Sequence, residues 1–184
     1  MEVVFSIIAK ILYKLKLITD LKDIEKLGDR LKPEIFGEEG KKIADRAYKK
    51  IPLIYASEKY KSVAYIWKIN FNENSKIPSF CNSIPEMNHN EINGFTNKIC
   101  NFYTIILRDK KDNRRILKRI EITKKLVNEK NAEIIDFIGR NIFEKVFNSV
   151  ILSYWASYYL ALKYKIDPIK VEMIDKLKEL LQEV

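Results

Sequence analysis

Histidine is nearly missing from this chain: His89 is the only one in 184 residues. A zinc site built on paired histidines is therefore excluded. The two cysteines, Cys81 and Cys100, lie far apart and have no histidine cluster beside them, so they read as small buried hydrophobes in a reducing compartment. Five glycines are scattered singly and the serines are isolated, which leaves no Gly- or Ser-rich loop to cradle a phosphate. There is no internal repeat and no low-complexity linker. The longest uncharged run, Val146 to Leu162, contains Asn148 and three serines and is short for a bilayer span, so it reads as a buried helix. The opening residues carry an early Glu2 and no small-residue cleavage site, unlike a secretory leader. A cytoplasmic protein without a membrane anchor is expected.

The chain is 47% hydrophobic and 32% charged, the balance of a folded globular protein rather than a disordered one. Its 34 basic and 25 acidic residues give a net charge of +9, which suits an anionic partner: nucleic acid, a membrane surface or a phosphorylated small molecule. The plainer reading of any one lysine is a solvated helix face. Richness in Lys, Glu and Ile with little Gly is a weak sign of a heat-adapted source.

Apolar residues at helical spacing predict a helix over Val3 to Ile18, a second from Thr19 or Asp20 towards Leu31, and a third over Glu38 to Lys50. Residues 1–50 thus form a helical lead-in. From residue 51 onwards strands and helices alternate. Strands are expected at Ile51–Ala56, Ile77–Cys81, Phe102–Leu107 and Ala132–Ile138. Helices are expected at Lys59–Asn74, Arg114–Val127, Ile142–Tyr164 and Lys170–Gln182. That alternation argues for a doubly wound α/β sandwich over residues 51–184, a three-layer α/β/α body on a mostly parallel sheet.

The informative polar chemistry is concentrated between Asn72 and Glu91. Glu73 falls at the end of a predicted helix, with Lys76 just beyond it, and His89 lies between Asn88 and Asn90. A carboxylate can move a proton between neighbouring carbons, a histidine can shuttle one to or from a ring oxygen, and a cation can steady an enediolate. Each also has an ordinary reading. A lone histidine is commonly structural, Glu73 and Lys76 can form an i,i+3 ion pair, and Pro85 to Asn90 can be only a turn. From these residues alone the function stays open.

Asn72-Glu73-Asn74-Ser75-Lys76 followed by Pro85-Glu86-Met87-Asn88-His89-Asn90-Glu91 resembles the bifunctional phosphoglucose/phosphomannose isomerases of archaea and some bacteria, in the sugar isomerase (SIS) superfamily. Ile51-Pro52-Leu53-Ile54-Tyr55, Val63-Ala64, Trp67-Lys68 and Ile166-Asp167-Pro168 agree with it, so the resemblance runs over nearly the whole chain. It implies an SIS-type fold, a homodimer, and conversion of glucose 6-phosphate and mannose 6-phosphate to fructose 6-phosphate, a step of glycolysis and gluconeogenesis. Glu73 matches the proton-transfer base. His89 matches the ring-opening residue that reaches a site from the neighbouring subunit. Lys178, or Lys176 if the alignment slips, matches a pocket lysine. No metal or organic cofactor is implied.

The departure is at the front. Such proteins carry two SIS domains, the first of which holds the sugar phosphate in a Ser/Thr-rich loop that has no counterpart here. The resemblance implies only the C-terminal domain, as a fragment or as a half that works with an N-terminal SIS half on another chain. The helix over Val3 to Ile18 would then dock against that half. Trp155 stands where similar sequences lead one to expect Asp. One rival is a non-catalytic sugar-phosphate-binding regulatory subunit. Another is a nucleic-acid-binding protein, which the charge suggests but no reading motif supports, so no nucleic-acid partner is expected.

Overall fold

A computed structural model describes residues 2–97 and 99–182. Four strands form one sheet: β1 (Ile51–Ser57), β2 (Phe80–Ile84), β3 (Phe102–Arg108) and β4 (Ala132–Asp136). Their order is β2-β1-β3-β4 and every pairing is parallel. The helices are α1 (Glu2–Lys14), α2 (Lys22–Glu25), α3 (Leu27–Arg30), α4 (Gly37–Ala47), α5 (Lys61–Ser75), α6 (Arg114–Asn128), α7 (Ile142–Tyr164) and α8 (Glu172–Leu181). The α/β/α sandwich preceded by N-terminal helices matches the expected fold class.

Side-chain alternation along the strands feeds two cores, as burial on both faces of a parallel sheet requires. Ile54, Ala56, Ile105 and Leu107 face α4, α5 and α7, where Ile43, Ala47, Trp67, Phe71, Leu152 and Leu160 are buried against them. Leu53, Tyr55, Ile84 and Ile106 face the other way, towards Met87 and towards Ile120 and Val127 of α6. Gly40 lets α4 lie directly on α7: a Cβ there would stand 2.4 Å from Trp155 Cβ and 2.9 Å from the Trp155 carbonyl carbon.

Two local expectations shift. The second strand starts at Phe80 instead of Ile77, because Lys76 ends α5 in a left-handed conformation (φ 55°) and Pro78 offers no N–H to a ladder. Ser79 then reaches back to hydrogen-bond the Pro52 carbonyl at 3.0 Å. The helix expected towards Leu31 is broken into two single turns, α2 and α3, the second carrying Gly28, a poor helix former.

The α5–α7 interface, although deep, is not wholly apolar. Ser149, Ser153 and Ser157 recur at i,i+4 on α7 and meet donors on α5. Trp67 Nε1 donates to Ser149 Oγ (2.9 Å), Asn70 Nδ2 to Ser153 Oγ (2.6 Å) and Asn74 Nδ2 to Ser157 Oγ (2.9 Å). Ser75 Oγ adds a bond to the Ser157 carbonyl at 2.7 Å. These are the serines that make Val146–Leu162 too polar for a membrane. Among the described residues no helix is long and apolar enough to cross one.

Candidate functional site

Glu73 lies in the last turn of α5, next to Asn74, and the bonds from Asn74 and Ser75 to α7 fix the position of that turn. Its side chain points outward onto the wall shared by two grooves. One, of about 510 Å³, lies between the end of α5 and the start of α8, with Lys76, Ile77, Lys170 and Met173 in its lining. The other, of about 660 Å³, has Tyr154, Tyr158, Ile169 and Val171 opposite Glu73. Glu73 and Lys76 do not form the i,i+3 ion pair that their spacing allows. Lys76 Nζ instead donates to the backbone carbonyls of Glu73 and, at 3.2 Å, Pro168. The Glu73 carboxylate has no ion-pair or hydrogen-bond partner among the described residues.

His89 follows β2 in a compact turn between two short 3-10 segments, Glu86–Asn88 and Glu91–Thr96, entered through a cis Ile84–Pro85 bond. Its neighbours build the turn. Asn90 Nδ2 donates to Glu86 Oε1 (2.9 Å), while Asn90 Oδ1 accepts from the Glu91 amide (2.6 Å). Asn88 Nδ2 donates to Thr123 Oγ1 on α6 (2.7 Å), and Met87 is fully buried. Glu91 accepts from Tyr55 OH (2.9 Å) and Asn82 Nδ2. Burial, and then the Glu91 carboxylate, push the Tyr55 hydroxyl up, so it remains a donor. The polar side chains flanking His89 from Glu86 to Glu91 are all engaged in this framework. The His89 side chain is exposed and has no partner among the described residues.

The two residues do not meet. A parallel crossover returns α5 to the starting edge of the sheet, so Glu73 lies before β2, and His89 lies beyond its carboxyl end. Five strand residues separate the two edges, roughly 16 Å at about 3.3 Å per residue. Lys178 is exposed on α8, 3.8 Å from Asp175, and Lys176 lies on the same helix; neither lines a groove with Glu73. The cations that do so are Lys76 and Lys170. No sequence signal set Lys170 apart from the other lysines. The aromatic wall of Tyr154 and Tyr158 also went unread, because i,i+4 aromatics in an apolar run look like core. Trp155, beside them, donates its indole N–H to the Pro33 carbonyl at 2.7 Å and stacks on Tyr159.

Open α/β sheets commonly bind ligands where the strand order reverses, here between the carboxyl ends of β1 and β3. In this chain that crevice is filled from within. Asp109, just after β3, accepts from Lys145 Nζ (2.6 Å), Tyr60 OH (2.6 Å) and the Lys111 amide (2.9 Å). Burial alone would push the Asp109 carboxyl up. The three donors outweigh it and hold the group down at about 2. Among the described residues no group of His, Cys, Asp and Glu side chains could hold a metal ion.

Residues 36–181 match the model of a family described as the bacterial phospho-glucose isomerase C-terminal SIS domain. A bifunctional phosphoglucose/phosphomannose isomerase of Aquifex aeolicus is 34% identical over 169 residues, covering 89% of this chain and 53% of that protein. Another, from Thermoplasma volcanium, is 34% identical over 146 residues, covering 77% of this chain and 47% of that protein. The crystal structure of a glucose-6-phosphate isomerase-like protein from Thermus thermophilus superposes with a TM-score of 0.62 at 19% identity, covering 86% of this chain and 52% of that one. The chain thus spans about half the length of the relatives it matches. It belongs to the family of bacterial phospho-glucose isomerase C-terminal SIS domains.

Proposed function

We propose that this chain is the C-terminal half of an aldose–ketose isomerase that interconverts glucose 6-phosphate, and mannose 6-phosphate, with fructose 6-phosphate. Glu73 takes the proton from C2 or C1 and returns it to the other carbon. His89, supplied by a second copy, moves the proton that opens the sugar ring. The observation that carries the reading is the turn around His89, in which the neighbouring polar side chains are tied to one another or to the body of the domain and the exposed imidazole has no partner among the described residues.

A carboxylate without an ion-pair partner on a groove wall is a competent proton carrier, because no competing cation pins its lone pairs. Negative charge grows on the substrate oxygens as the enediolate forms. Lys76 and Lys170, on the same groove as Glu73, are placed to offset it, with Lys178 as the cation that the family likeness suggests. The phosphate cradle is missing from this half. Residues 1–50 serve as the lead-in through which an N-terminal SIS half docks on residues 51–184, and α1 leaves Ile7, Ile8 and Ile11 about half exposed for such a contact.

The test is formation of glucose 6-phosphate from fructose 6-phosphate, with and without a separately expressed phosphosugar-binding SIS half. Turnover only in the mixture supports the reading. A folded mixture that binds fructose 6-phosphate yet never turns it over would favour a regulatory sugar-phosphate-binding subunit instead.

A further inference from the structure

The seven arginines divide sharply. The four outside α6, namely Arg30, Arg46, Arg108 and Arg140, each pair with a carboxylate. Arg114, Arg115 and Arg119 do not, nor does Lys118 between them, among the described residues. This arrangement is costly for the fold. Cations in the first turn of a helix oppose its dipole, and Arg115 and Arg119 repel each other at i,i+4. Asn113 caps this helix start, its Oδ1 accepting from the Arg115 and Ile116 amides, but among the described residues no carboxylate pairs with these cations.

Arg115, Lys118 and Arg119 line one groove of about 580 Å³ between α6 and the 86–96 turn. Its other wall includes Asn88, the residue immediately before His89, and its far end is apolar, with Ile122 and Leu126. The volume lies in the range of small-molecule sites. Asn88 Oδ1 is the one buried side-chain polar atom among the described residues that has no hydrogen-bond partner; as an acceptor it suits a sugar hydroxyl and not a phosphate oxygen.

We propose that this groove binds the phosphate group of a phosphosugar, held by Arg115, Lys118 and Arg119 beside His89. Guanidinium groups offer the forked donors that phosphate oxygens fit. The half-apolar, half-basic lining suits a phosphorylated hexose better than a bare ion. The proposal deepens the isomerase reading and rests on it for the choice of ligand. The face that presents His89 would also carry the anion contact for which the chain otherwise has no cradle.

His89 is the only imidazole, so its ring protons give an unambiguous NMR reporter one residue from the groove. The whole chain is titrated with inorganic phosphate and with fructose 6-phosphate at constant ionic strength, with chloride as the compensating anion. Saturable shifts of the His89 ring and Asn88 amide signals are expected with both. Arg115→Gln combined with Arg119→Gln should weaken binding by about tenfold or more, the loss of a charge-assisted hydrogen bond, while the remaining amide spectrum stays in place. Shifts that never saturate, or an unchanged titration in the double variant, would overturn the proposal. So would an oligonucleotide that saturates the same signals far more tightly, with a steep loss of affinity in salt. The readout is binding without turnover, so a mixture with the completing SIS half that binds phosphosugar through this groove but never isomerises it refutes the isomerase reading and leaves this site standing.

Discussion

Glu73 and His89 stand beyond opposite ends of the same edge strand, β2, roughly 16 Å apart along its axis by strand rise alone. No side-chain rotation closes that gap, so one chain cannot bring both to one hexose. If both act on a single substrate, each site takes Glu73 from one subunit and His89 from another. Mixing a Glu73→Gln variant with a His89→Gln variant should then restore activity that neither has alone. Random exchange makes half the dimers mixed, with one intact site in two, so about one quarter of wild-type activity is expected. Steady-state assays of the mixture, with the completing SIS half present, measure this directly. No recovery after confirmed subunit exchange would exclude a shared site.

The Lys145–Asp109 pair should matter to stability more than any surface ion pair. Lys145→Met leaves the buried Asp109 carboxylate with only the exposed Lys59, 3.9 Å away, as a cation, a loss of about 3 kcal/mol that urea denaturation would read at neutral pH.

The same carboxylate sets an acid limit. Asp109 falls from an ordinary value near 4 to about 2 on folding, so its contribution is fully present above about pH 4. It is lost as the pH falls towards 2, and amounts to on the order of 2 kcal/mol. Asp109→Asn should flatten the stability profile between those limits while lowering stability at pH 7. An unaltered slope would assign the acid sensitivity elsewhere.

Much of this was legible in the chain. Alternating apolar runs foretold the sheet and its helices because each strand of a parallel sheet is buried on both faces and leaves a compact hydrophobic signal, as at Ile51–Ala56. The start of β2 was misplaced because Ile77 is apolar, while the left-handed turn at Lys76 and the missing N–H of Pro78 decide where pairing can begin. Glu73 and His89 were found as a motif, but their separation was not, since sixteen residues of sequence say nothing of which sheet edge each one reaches. The Asp109 plug was invisible too. Lys145 sits in a run that reads as an ordinary helix, and only the return of α7 to the sheet brings it to β3.

Close helix packing gives another test. Gly40→Ala forces a methyl into Trp155 and its backbone, so α4 and α7 must separate. A loss of about 1–3 kcal/mol is expected from overpacking, visible as a lower thermal midpoint. Gly28→Ala, which meets nothing within 4 Å, serves as the control and should be neutral or slightly stabilising.

The serine seam between α5 and α7 offers a last variant. Ser153→Ala strands the Asn70 amide in a buried interface and should cost about 1–3 kcal/mol. Asn70→Leu with Ser153→Ala should recover part of that loss, since replacing both partners removes the unmet donor.

Helix ends ordinarily fray, and a carboxylate in a final turn samples many positions on a nanosecond scale. The final turn of α5 is denied that freedom, because Asn74 and Ser75 hand its two closing residues to a buried helix. The backbone that carries Glu73 is therefore anchored where a helix end ordinarily loosens. On the proposed reading, in which Glu73 is the base, less backbone ordering is left for the substrate to impose on the way to the transition state.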